Sequence, residues 1–194
     1  APELEPFLEL DGVVIAGLKT SRRAQAGLNW AHGSISRGQL RRLAQRFNAA
    51  SPEALRIVVA HHPLMQPEGP VEKQMRLVRR ADLALSTFAE LGVRLVLSGH
   101  FHLSYVRQHQ PGMVEEGMPT GLREAGAGAI LVAQASSTIS TRLRGHANAY
   151  NLIDIESGQI TVAVREWQRS AWTTRERAAA TPQLPDGTTV VRQP

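Results

Sequence analysis

A chain of 194 residues can bury one ordinary core, and 42% hydrophobic against 20% charged residues is the balance of a single globular domain. Cysteine is absent, which excludes disulfide frameworks and thiolate zinc sites, so any metal must rest on His, Asp, Glu or Asn. The formal net charge of +5 comes almost wholly from arginine, since Lys19 and Lys73 are the only lysines; the arginines are scattered and not interleaved with aromatics, 5% of the chain, so they read as solvated helix faces and nucleic acid is not an expected partner.

The longest apolar runs, such as Gly12 to Leu18, are too short to cross a bilayer, no signal peptide is read at the start, and a cytoplasmic location is the expectation. In chain order, Phe7 to Leu10 and Val13 to Leu18 flank Asp11-Gly12, a two-residue hairpin signal, and predict an antiparallel pair carrying no chemistry. Lys19 to Ser34 reads as a Gly-, Ser- and Arg-rich loop anchored by Trp30. Ser36 and Gln39 fit a capping box ahead of Leu40, Leu43, Ala44 and Phe47 at helical spacing. Leu55 to Ala60 is an apolar strand that runs straight into His61, His62 and Pro63. A loop over Pro63 to Val71 is placed to overhang that strand end.

A helix is predicted from about Gln74 to Leu91, with Leu77, Val78, Ala81, Leu85 and Phe88 as its buried stripe and Gly92 at a left-handed C-terminal cap. Val93 to Leu97 is then a second buried strand, ending in Ser98-Gly99-His100-Phe101-His102. Strand, helix and strand make a βαβ unit with parallel strands, whose carboxyl ends face one way. Leu103 to Gln108 reads as an edge strand, Gln110 to Gly128 as an irregular rim loop, and Ala129 to Ala133 as a short apolar strand leading to a run of hydroxyls from Ser136 to Thr141. Tyr150 to Ile155 and Gln159 to Trp167 flank Ser157-Gly158 as a second hairpin, and from Arg169 onward the chain reads as an extended, weakly held tail.

The histidines carry the chemistry. Open α/β sheets bind ligands outside the carboxyl ends of their strands, so His61, His100 and His102 are expected to meet in one crevice and form a metal site. His100 and His102, two apart, would share one side of an extended backbone. Either motif alone reads equally well as a structural turn bonded to backbone carbonyls, and the two together favour function. His62 should point opposite to His61 unless the loop turns it back toward a substrate, which makes it the candidate substrate-binding residue. His32, His109 and His146 sit among polar or small residues and read as surface groups.

With Ile57-Val58-Val59-Ala60-His61-His62-Pro63 and Ser98-Gly99-His100-Phe101-His102 placed around a helix, the chain resembles the carboxyl-terminal half of the calcineurin-like metallophosphoesterases, nearest the bacterial cyclic-nucleotide phosphodiesterase type. A looser likeness through Ser137-Thr138 and Tyr150-Asn151-Leu152-Ile153 extends the match to about Trp167. The resemblance implies an α/β (α+β) fold, half of a two-sheet β-sandwich flanked by helices, over residues 1–168, with 169–194 as the tail. It implies two divalent ions (Mn, Fe or Zn), His61 and His100 on one and His102 on the other, and hydrolysis of a phosphomonoester or phosphodiester by a hydroxide bridging the metals. A phosphorylated small molecule or cyclic nucleotide would be the substrate.

The family's first half supplies an Asp-x-His strand end, a Gly-Asp-x-x-Asp segment and an Asn-His segment, and this sequence contains none of them. The expectation is therefore a piece of a longer protein, or half of a site completed by another polypeptide, inactive alone and with its catalytic residues elsewhere. An isolated half would also leave unpaired strand edges. The alternative is a non-catalytic binding module on a degenerate phosphoesterase scaffold. A serine hydrolase lacks its Gly-x-Ser-x-Gly elbow here, and no phosphate-binding Gly-rich loop is present.

Overall fold

The computed structural model describes residues 4–21, 32–67, 76–111, 128–141 and 146–180. Trp30, most of the Gln110 to Gly128 rim loop, part of the Pro63 to Val71 loop and the end of the chain past Ala180 lie outside them. The elements are β1 (Phe7–Leu10), β2 (Val13–Leu18), α1 (Arg37–Ala49), β3 (Leu55–Ala60), α2 (Ala81–Glu90), β4 (Val93–Ser98), β5 (Tyr105–His109), β6 (Ile130–Gln134), β7 (Ala149–Glu156), β8 (Gln159–Gln168) and β9 (Ala171–Ala180). Among the described residues no helix is long and apolar enough to cross a membrane.

Six strands form one sheet in the order β1-β2-β3-β4-β6-β5, and β7-β8-β9 form a second. Strands β2, β3, β4 and β6 run parallel, with antiparallel β1 and β5 at the edges. The parallel strands read as unbroken apolar runs because both their faces are covered. Val58, Val96 and Val132 pack with Phe47 of α1 and Phe88 of α2 in one core, whereas the alternating Ile57, Leu95 and Leu131 pack with Ile160 and Val162 of β8 in the other. The order of layers is helices, six-stranded sheet, three-stranded sheet.

The capping box forms as the sequence predicts: the Ser36 side chain accepts from the Gln39 amide, and the Gln39 side chain accepts from the Ser36 N–H at 2.9 Å. Helix α2 is shorter than expected. The amide of Val78 donates to the Pro63 carbonyl and that of Arg79 to the Gly33 carbonyl, at 3.0 Å each, so this stretch is tied to neighbouring loops before the helix begins. Arg80 then takes a left-handed conformation (φ 68°) that starts α2 at Ala81, and Gly92 (φ 66°) ends it.

Residues 171–180, which the sequence reads as loose, form β9, paired with β8 along its length, with Trp167 opposite Trp172. Arg169 and Ser170 are both left-handed (φ 45° and 71°), which builds a two-residue hairpin loop from residues that carry no glycine or asparagine signal.

Candidate metal centre

The site is built at the carboxyl ends of three adjacent parallel strands. Leaving β3, the chain presents His61, exposed, and His62, 5% exposed; leaving β4, it passes Ser98 and Gly99 to His100. The Gly99 N–H donates to the His61 carbonyl at 3.0 Å, which joins the two strand ends directly. His61 Nε2 lies 3.1 Å from His100 Nδ1 with the rings nearly perpendicular, at 79°. Ring centroids of His62 lie 4.9 Å from His61 and 4.5 Å from His100. One ligand nitrogen from each of the three rings falls within 4.8 Å of the others.

Two features of this arrangement differ from the sequence reading. Strand alternation sends His62 away from His61, yet β3 ends at Ala60 and the turn brings both rings together. The shared side of His100 and His102 required an extended backbone, and both residues are left-handed instead (φ 80° and 59°). His102 is accordingly not a member of the three-ring cluster; it is exposed, with Nδ1 2.9 Å from the Ser137 hydroxyl and its carbonyl accepting from the Ser136 hydroxyl at 3.0 Å. Left-handed non-glycine residues concentrate where the surrounding structure enforces them, commonly at functional sites.

Several supporting groups carry no motif. Thr20, only 1% exposed, places its hydroxyl 2.7 Å from His62 Nδ1. In the parallel register Leu18 is the partner of Ala60, so Thr20 and His62 each lie two residues beyond a paired position, and that register was the one signal from which Thr20 could have been found. The loop that follows β2 therefore contributes to the site. On the other flank Gln134 accepts from the Ser98 hydroxyl at 2.7 Å and donates to the Gly99 carbonyl. The Tyr105 hydroxyl donates to the Met65 carbonyl at 2.6 Å and Arg107 donates to the Gln66 carbonyl at 2.8 Å, which pins the described start of the 63–71 loop to β5. Burial pushes the Tyr105 phenol well above its ordinary range, so it stays a neutral donor.

The donor set fits a divalent transition ion. As a hydrogen bond, the His61–His100 contact needs a proton on one nitrogen and none on the other. As a ligand pair, bonds of ~2.0–2.1 Å diverging by roughly 90–110° put two nitrogens about 2.9–3.4 Å apart, and the 3.1 Å separation falls inside that interval. Among the described residues the cluster contains no carboxylate, so three neutral imidazoles suit one such ion and do not by themselves offset the charge of two.

No protein-family model matches the sequence, and no curated protein matches it. Among solved structures, a purple acid phosphatase from yellow lupin (Lupinus luteus) seeds superposes with a TM-score of 0.56 at 10% identity, over 90% of this chain and 32% of that one. A double mutant of Vps29 from Entamoeba histolytica aligns with a TM-score of 0.33 at 13% identity, over 85% of this chain and 97% of that one. The mixed α/β arrangement of two sheets and two helices among the described residues is a metallophosphoesterase-like fold. The chain spans about a third of the lupin phosphatase chain, 32% of its length.

Proposed function

We propose that this chain is the carboxyl-terminal part of a metal-dependent phosphoesterase. The observation that carries the reading is the His61 Nε2 to His100 Nδ1 approach of 3.1 Å at the ends of two adjacent parallel strands. His61 and His100 hold one divalent ion (Mn, Fe or Zn), and His102, its Nδ1 engaged by Ser137, offers a ligand to a second. Divalent ions at such a site acidify water and neutralise charge developing on the phosphoryl group. The chain's own residues hold and orient: the Gly99–His61 bond and the Gln134 side chain fix the ring positions before any substrate arrives.

The carboxylates that a two-ion centre needs come, in this reading, from residues outside this chain, in the same or another polypeptide. A phosphorylated small molecule or cyclic nucleotide as substrate, and a cytoplasmic setting, belong to the same proposal. The test is manganese-dependent hydrolysis of bis(4-nitrophenyl) phosphate by the complete protein. His61→Ala or His100→Ala is expected to lower it by more than the ~10–100-fold typical of losing an outer-shell partner of a ligand. Undiminished turnover in either variant would refute the assignment.

The absence of a carboxylate from the three-ring cluster, among the described residues, favours a second reading: a binding module that keeps the scaffold without the chemistry. A complete protein that retains zinc but hydrolyses no phosphoester under any metal would select it.

A further inference from the structure

We propose that His62 is a third nitrogen ligand of the ion held by His61 and His100, and that Thr20 and Gly33 are the positioning residues that put it there. The inference rests on the metal-centre reading above and deepens it. A histidine that reaches for substrate needs access, whereas His62 is 5% exposed and its ring lies beside both of the others. A buried imidazole is tolerated only when its polar atoms are matched. Thr20 supplies that match at Nδ1, at 2.7 Å, and is itself held in place by a 2.8 Å bond from the Ser34 N–H to its carbonyl.

Ligating histidines are oriented by a partner that accepts from the ring nitrogen not on the metal; in the proposal the Thr20 oxygen accepts from Nδ1–H of His62. With Nδ1 engaged by Thr20, Nε2 is the nitrogen that His62 brings to the ion. Gly33 makes the space. A methyl group at that position would stand 2.4 Å from both Cγ and Nδ1 of the His62 ring, far inside contact distance. Its backbone is not free to retreat, because the Gly33 carbonyl accepts from the Arg79 N–H at 3.0 Å and Ser34 bridges Arg79. The ring thus occupies a seat cut to its shape on one side and bonded on the other.

This set of three imidazoles lets the chain load one ion with no contribution from any carboxylate. The probes are zinc alone, by equilibrium dialysis, and cobalt(II) alone, whose visible absorption reports the number and geometry of its ligands. The 194-residue chain is expected to bind one equivalent. Thr20→Val should weaken zinc by ~10–100-fold and change the cobalt spectrum, Thr20→Ser should restore both, and Gly33→Ala should act like Thr20→Val, with circular dichroism confirming that each variant is folded. If the chain binds metal and loses it on His61→Ala, yet folded Thr20→Val keeps the same affinity and spectrum, the role of His62 is overturned while the centre stands. If the folded chain binds neither ion, the centre itself falls and this assignment with it.

Discussion

Gln134, 0% exposed at the end of β6, bonds both residues that lead into His100. Replacing it with a leucine of similar size leaves the buried Ser98 hydroxyl unmatched and the half-buried Gly99 carbonyl with only its 3.1 Å bond from the Phe101 N–H, a loss of ~1–3 kcal/mol. Gln134→Leu is therefore expected to lower the urea midpoint and to weaken zinc retention together, because the same bonds set the His100 loop. Lost stability with unchanged zinc affinity would show that Gln134 serves the fold alone. At this scale the sequence was legible only where a residue ended a strand: His61 and His100 could be paired from the βαβ unit. The direction of His62 stayed open because strand alternation stops with β3 at Ala60, and the shared side expected of His100 and His102 presupposed an extended backbone where both residues are left-handed. Gly33 and Gln134 matter through contacts distant in sequence and leave no local pattern.

Among the elements, α1 is secured by more than its capping box. Arg42 donates to the Glu5 carboxylate at 2.9 Å, Gln39 donates to the same carboxylate, and Arg46 donates to the Glu5 carbonyl at 2.9 Å, which straps the segment before β1 onto the helix. Burial alone would push the Glu5 carboxyl up, but the bonds from Arg42 and Gln39 and the Arg42 charge outweigh it and hold the group below its ordinary value of 4.5. The unfolded chain then takes up the proton first as acid is added. The strap's contribution is complete above that ordinary value and is lost as pH falls through the lower folded one. Glu5→Gln should flatten this part of the acid unfolding profile and leave the neutral-to-alkaline part unchanged in shape; an identical acid limb in both proteins would contradict it. The helix α1 and both Gly-containing hairpins were readable because propensity, capping and periodicity agreed there. Strand β9 was not, since its turn residues Arg169 and Ser170 adopt left-handed angles that their side chains disfavour, and only pairing with β8 imposes them.

Over the whole molecule, the apolar strands were visible because the six-stranded sheet is covered on both faces, by α1 and α2 on one and by β8 and its neighbours on the other. The position of the three-stranded sheet was not visible, since nothing local in β7, β8 or β9 says which face it covers. That double coverage makes the carboxyl edge of β2, β3 and β4 the place where side chains can gather without disturbing a core, and the three clustered imidazoles sit there. In the proposed function His61 and His100 converge there to hold a divalent ion. Anomalous diffraction at the zinc edge, from crystals of the protein grown with zinc, tests it most directly. A peak within bonding distance of His61 Nε2 and His100 Nδ1 is expected; a well-ordered site with no peak between those atoms, or zinc bound only elsewhere, would refute the ion's placement.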